Sequence, residues 1–280
     1  MNPLTMFAKR FVAGEQPQDA VRVGERLQAK GIKATFDKLG EDVLDAAAAK
    51  RATEASQELL RLVPAGLERN ISIKMSSMGQ EISRDLCLEN VSSILDCAKT
   101  VGGFVRLDME GSRTTQDTIE IFQALRKSHD NVGIVLQAYL HRTVGDVREA
   151  VRRGDRVRLC KGAYKEPAAV ALQDMAAIRR QFLDCTHLLL EGAPCPAIAT
   201  HDEALIADTI DFASRQKIAA SRFEFQMLYG LRRARWESLV AAGHNVRIYV
   251  PFGSHWIPYF YRRLRERKEN VLFVLKGLFR

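Results

Sequence analysis

A single α/β domain of the (β/α)8 barrel class is what this chain predicts over residues 1–280. Short β-rich runs alternate eight times with stretches of helical periodicity, and the length suits such a barrel. No Pro/Gly/Ser-rich linker or low-complexity block interrupts the alternation. No GxGxxG follows the first β-run, which argues against the doubly wound sheet that the same alternation also allows.

In chain order the strands are read at "IKATFD" (32–37), "ISIKMSS" (71–77), "FVRLDME" (104–110), "VGIVLQAY" (132–139), "RVRLCKGA" (156–163), "PAIATHD" (196–202), "RFEFQML" (222–228) and "VRIYVPFG" (246–253). Between them lie apolar residues at helical spacing over 41–62, 84–99, 115–128, 143–153, 170–191, 203–217 and 231–243. An eighth helix follows the last strand in "HWIPYFYRRLRER" (255–267). There Ile257, Phe260, Tyr261 and Leu264 form the apolar stripe, and Tyr259, Arg262, Arg263 and Glu266 repeat the spacing opposite. That polar face is either solvated or an anion clamp, since paired guanidiniums suit a carboxylate or phosphate.

The strands carry charge where barrel interiors usually hold Val, Ile and Leu. Arg106, Asp108 and Glu110 alternate with apolar residues, so period two puts all three on one side of the third strand. The same parity joins Arg156 to Arg158, Glu224 to Gln226 and Arg247 to Tyr249. Lys74, Gln137 and Lys161 add polar groups near strand C-termini, where barrel enzymes keep their chemistry. Burying so many charges without a ligand is costly, so a polar ligand is expected at the mouth.

Composition narrows the partners. Net charge is +8 with 46% hydrophobic residues, an ordinary globular balance that favours anionic ligands, including an anionic membrane surface. No apolar run reaches transmembrane length, and the N-terminus lacks a signal-peptide core, so a cytoplasmic protein is expected. Five scattered cysteines without a CxxC pair suit reduced thiols, and no metal site is expected. No nucleic-acid-binding motif is present, so no nucleic acid partner is expected. Two chemistries remain open on the residues alone: a Schiff-base aldolase using Lys74 or Lys161, and a non-enzymatic basic barrel that binds anions.

Seven strings then carry a resemblance: "ISIKMSS", "VRLDMEGS" (105–112), "LQAYLHRT" (136–143), "RLCKGAYKEP" (158–167), "ATHD" (199–202), "FEFQMLYGLR" (223–232) and "YFYRRLRER" (259–267). Together, and in this order, they resemble the motifs of FAD-dependent proline dehydrogenases of the monofunctional bacterial type. The resemblance implies a distorted barrel with FAD at the strand C-termini and the last helix displaced over the mouth. It puts Lys74, Arg262 and Arg263 around the substrate carboxylate, with Tyr249 and Tyr259 closing over the ring. Asp108, Ala163, Tyr164 and Leu228 complete the substrate pocket. Arg158 and Gln137 face the flavin, while Lys161, Gly162, Ala163, Thr200, His201, Gln226, Glu266 and Phe273 match cofactor positions. Of these, Lys74, Asp108, Arg158, Tyr249, Arg262 and Arg263 are the expected catalytic group.

The activity so implied is oxidation of L-proline to 1-pyrroline-5-carboxylate. Proline is expected over hydroxyproline, because Tyr259 fills the space a 4-hydroxyl needs; a hydroxyproline-preferring enzyme is the alternative. A quinone as electron acceptor and a separate pyrroline-5-carboxylate dehydrogenase are the implied partners. The chain departs from the family at Cys160, usually aliphatic, at Tyr229, often histidine, and in the loosely matching "ENVLFVL" near the C-terminus.

Overall fold

The structure is a computed structural model that describes residues 11–40, 43–254 and 256. Eight parallel strands close into a barrel in sequence order: β1 (Lys33–Lys38), β2 (Asn70–Lys74), β3 (Phe104–Asp108), β4 (Val132–Gln137), β5 (Val157–Cys160), β6 (Ala197–Ala199), β7 (Glu224–Leu228) and β8 (Asn245–Phe252). β8 returns to β1 with Arg247 beside Lys33 and Tyr249 beside Thr35. The fold class read from the sequence is therefore the fold observed.

Helix α1 (Pro17–Gln28) precedes β1 and is the element the sequence reading did not place. Proline occupies its first position, where a missing N–H costs nothing, and Asp19 accepts the Gln16 N–H at 3.0 Å. Its buried residues Ala20, Val21, Val23, Gly24 and Leu27 form a stripe at helical spacing. Gly24 is required there, because a Cβ would stand 2.7 Å from the Phe36 ring on β1.

Helices α2 (Ala46–Leu62), α3 (Arg84–Thr100), α4 (Ser112–Arg126), α5 (Thr143–Arg153), α6 (Met175–Gly192), α7 (Glu203–Arg215) and α8 (Arg233–Ala241) follow the first seven strands. Side-chain caps at Asp45, Asp174 and Asp202 set where three of them begin. Four starts differ from expectation, two of them by five residues. The helix read from residue 41 begins at Ala46, and the one read from 170 begins at Met175, because Ala171 first bridges back to Leu140. The sixth strand is also shorter than read; Thr200 to Asp202 already belong to the loop. The displaced last helix expected over the mouth lies outside the described residues, Trp256 excepted.

Strand parity divides the barrel cleanly. Ile71, Ile73, Val105, Leu107, Ile134, Leu136, Val157, Leu159, Phe225, Val246 and Ile248 join the helices in one apolar core. The alternate set, Ser72, Lys74, Arg106, Arg158, Gln226 and Arg247, is also buried and fills the lumen with polar groups. The core thus lies between barrel and helices, and the lumen is reserved for charge.

Candidate active site

Arg158 stands at the centre of the upper lumen, only 5% exposed. Three strands hold its guanidinium. Nε donates to Gln226 Oε1 at 2.5 Å, Nη1 to Asp108 Oδ1 at 2.8 Å, and Nη2 to Ser72 Oγ at 3.0 Å. The second oxygen of Asp108 accepts the Tyr249 hydroxyl at 2.8 Å, and the Tyr249 ring lies 5.4 Å from the guanidinium carbon. These bonds leave one N–H on each terminal nitrogen of Arg158 for a further acceptor.

Lys74, at the end of β2, places Nζ 3.0 Å from both oxygens of Asp37 on β1. Burial holds the Asp37 carboxyl above its usual range; Lys74 opposes the shift and the like charge of Asp108 adds to it. Asp37 was missed in the sequence, although it ends "IKATFD" on the same parity as inward Thr35.

The other side of the mouth is built from β5, β6 and their loops. Lys161 Nζ meets Asp202 Oδ2 at 2.5 Å, and Arg179 Nε meets the same oxygen at 2.8 Å. Burial pushes the Asp202 carboxyl up, but its two cations outweigh this and hold it at about 2. Thr200 is buried, and its hydroxyl accepts the Asp202 N–H at 3.1 Å. The Leu228 N–H donates to His201 Nε2 at 3.0 Å, so the neutral ring carries its proton on Nδ1. Gln137 donates to Glu110 O at 2.8 Å and accepts the Ala163 N–H at 3.3 Å.

Glu110, read as a third inward charge of the strand, lies just past its end, lines the mouth and also grips the loop after β2. Its carboxylate accepts the Ser76 N–H at 2.9 Å and the Ser76 hydroxyl at 2.7 Å. Glu166 does the same for Ser112 at the head of α4, tying the Tyr164 loop to the barrel. Gly162 adopts φ +120°, and a Cβ there would fall 2.1 Å from the Tyr139 ring.

Lys74, Asp108, Gln137, Arg158, Lys161, Gly162, Ala163, Tyr164, His201, Gln226, Leu228 and Tyr249 all line one cleft at the strand C-termini. As site residues the sequence reading missed Met109, Glu110, Val135, Cys160, Ala199 and Met227 in this lining; all but Glu110 are apolar and carry no signal of their own. The cleft encloses about 230 Å³ and is half open to solvent. Tyr259, Arg262, Arg263, Glu266 and Phe273 lie outside the described residues. Among the described residues no three His, Cys, Asp or Glu side chains gather as metal ligands, and no helix is long and apolar enough to cross a membrane.

Comparison with known proteins gives this geometry its context. A family model described as proline dehydrogenase matches residues 20–276. Proline dehydrogenase 1 of Bacillus subtilis is 39% identical over 275 residues, covering 97% of this chain and 90% of that protein. Proline dehydrogenase of Deinococcus radiodurans is also 39% identical, over 280 residues, covering 97% and 89%. The solved structure of proline utilization A from Bdellovibrio bacteriovorus, inactivated by N-propargylglycine, superposes with a TM-score of 0.86 at 26% identity. It covers 93% of this chain, which spans 32% of that longer protein. With the family model matched across nearly its whole length, the chain belongs to the proline dehydrogenase family.

Proposed function

We propose that this protein, as one barrel domain over its whole length, oxidises L-proline to 1-pyrroline-5-carboxylate with noncovalently bound FAD. The observation that carries the reading is Arg158, a buried cation held from three strands in a cleft lined by residues to which the family resemblance gives roles. One feature favours a large cofactor: the backbone of Gly162, at φ +120°, lines the cleft directly at the mouth where β5 ends.

When bound, FAD supplies the acceptor for the hydride that leaves proline C5. The protein's own work is placement and charge. Lys74, with Arg262 and Arg263, holds the substrate carboxylate, and Tyr249 packs on the ring. The substrate nitrogen must give up a proton so that its lone pair can form the C5=N bond as the hydride departs. Arg158 stabilises the negative charge that the oxidation delivers to the cofactor side of the cleft. Asp108 holds Arg158 and Tyr249 in one rigid unit, so ring and guanidinium keep a fixed relation. The product adds water at its C=N bond and opens to an aldehyde, the substrate for a separate pyrroline-5-carboxylate dehydrogenase. A quinone takes the electrons onward.

The aldolase alternative loses support from the same geometry. Lys74 and Lys161 each sit on a carboxylate, which favours the ammonium and opposes the free amine a Schiff base needs. The test is the absorption spectrum of protein reconstituted with FAD. A flavin band that bleaches anaerobically on adding proline, and more slowly with hydroxyproline, is expected. Folded protein that stays colourless in excess FAD, or a flavin band indifferent to proline, overturns the reading.

A further inference from the structure

A run of donor–acceptor pairs climbs the lumen from the N-terminal floor to the mouth. Glu68 Oε2 meets Arg247 Nη1 at 2.5 Å. Arg247 Nε and Nη2 then grip the two oxygens of Glu224 at 2.8 and 3.0 Å. Glu224 Oε1 accepts Gln226 Nε2 at 2.5 Å, and Gln226 Oε1 accepts Arg158 Nε at 2.5 Å. Arg158 passes to Asp108 and Asp108 to Tyr249. From Glu68 up to Asp108 every link joins a group that only donates to one that only accepts, except the Gln226 amide, which does both.

That exception is the joint. An amide can turn over, and only its two neighbours decide which way it faces. Below it, Arg247 outweighs burial and holds the Glu224 carboxyl at about 2, so it is ionised and can only accept. Above it, the Arg158 Nε–H can only donate. Glu224 therefore fixes Gln226 with its oxygen upward, and Gln226 in turn fixes the roll of the guanidinium.

Resting on the FAD reading above, we propose that Glu224 is a positioning residue: acting through Gln226, it sets the orientation in which Arg158 meets the cofactor. Glu224 is absent from the cleft lining and its side chain is 13% exposed, so it works without touching substrate or flavin. An uncharged Glu224→Gln side chain, of the same shape, cannot satisfy the run. With its oxygen toward Gln226, its own amide hydrogens face Arg247. Turned over, it forces Gln226 to present hydrogens to the Arg158 Nε–H.

Redox titration of the flavin in Glu224→Gln separates this role from that of a mere counter-ion. Taking a negative charge out of the lumen by itself raises the flavin midpoint potential. Releasing Arg158 from its set orientation lowers it, because the reduced cofactor loses its cation. We expect a lower potential, flavin reduction by proline slower by about ten- to a hundredfold, and an unchanged proline dissociation constant. A potential that rises or stays at the wild-type value overturns the proposal. Should Glu224→Gln fail to load flavin, Glu224→Asp is measured instead; it keeps the charge beside Arg247 but falls one carbon–carbon bond short of Gln226. A lowered potential there supports the proposal, and a wild-type potential overturns it. If neither variant loads flavin although the wild type does, Glu224 is structural and the proposal falls. A wild type that takes up no flavin instead sinks the FAD reading itself.

Discussion

The floor and the mouth of this barrel are both filled with charge, but Arg106, Glu224 and Arg247 at the floor line no cleft among the described residues, whereas the cations of the mouth do. At the floor, Arg247 is clasped by Glu224 and Glu68 and donates its remaining reach to Ala34 O at 2.8 Å. At the mouth, Arg158, Lys74 and Lys161 are paired too, yet all three line a cleft. The same strands supply both layers, two residues apart: Arg106 below Asp108, Ser72 below Lys74, Glu224 below Gln226, Arg247 below Tyr249. An inward charge in a strand is thus a sign of the lumen, and its height in the barrel decides whether it supports the fold or meets a ligand.

The largest expected difference between the layers is in stability. Glu224→Ala takes the two bonds on Arg247 Nε and Nη2 out of a buried layer and leaves that cation only Glu68 and Ala34 O, which should cost about 3–5 kcal/mol in urea unfolding of the apoprotein. At the mouth, Asp202→Ala should cost about 1 kcal/mol, chiefly the lost cap on α7. If the mouth variant proves the more damaging one, the division into a structural floor and a working mouth is wrong.

Gly162→Ala sharpens the comparison from the other side. At φ +120° a side chain is strained, and it would be driven into the Tyr139 ring. About 1–3 kcal/mol of strain should appear, with flavin affinity falling more than global stability, as fluorescence titration against thermal unfolding can show. Equal losses in both would mean that Gly162 serves the fold alone.

Arg106→Met should go the opposite way. The Arg106 guanidinium is 2% exposed, and burial together with its like-charged neighbour Arg158 depresses its affinity for a proton. Its bond to Arg156 O at 2.8 Å is expendable, because that oxygen also accepts the Ile134 N–H at 3.0 Å. Replacing a buried ion by an apolar chain of similar length should stabilise the apoprotein by about 1 kcal/mol. A lower melting temperature for Arg106→Met would show that Glu224 already balances this charge.

Much of this division is written in the strands. Period two in "VRLDME" and "VRIYV" puts Arg106, Asp108, Arg247 and Tyr249 inward, because a strand has no other way to direct alternate side chains. Who meets whom across the lumen is not local. Asp37 and Lys74 are 37 residues apart, and their contact depends on how the β1–β2 register is staggered. The amide of Gln226 likewise has no reading until Glu224 and Arg158 flank it. Helix α1 was legible too, with Ala20, Val23, Gly24 and Leu27 at helical spacing behind its cap. The Arg262–Arg263 clamp falls outside the described residues, so its placement rests on the family resemblance.

The smallest expected effect separates two carboxylates within the mouth by the sign of their pH dependence. Asp202 is held at about 2, below its ordinary 3.8, because Lys161 and Arg179 outweigh its burial. The unfolded chain therefore binds the proton first, so the stabilisation is full above about pH 4 and fades as pH falls through about 2. Asp37 is displaced the other way by burial, so the folded state takes the proton first. Its contribution falls as pH rises above the unfolded value of 3.8 and levels off beyond the raised folded value. Asp202→Asn keeps a side chain able to cap α7 but removes the titration. Its unfolding free energy, measured by urea at stepped pH, should lose less than wild type between pH 4 and 2, with the two curves parallel above pH 5. A variant curve that stays parallel to wild type down to pH 2 would mean that Lys161 and Arg179 gain nothing from the charge. The mouth would then be held by its loop ties at Glu110 and Glu166 rather than by its ion pairs.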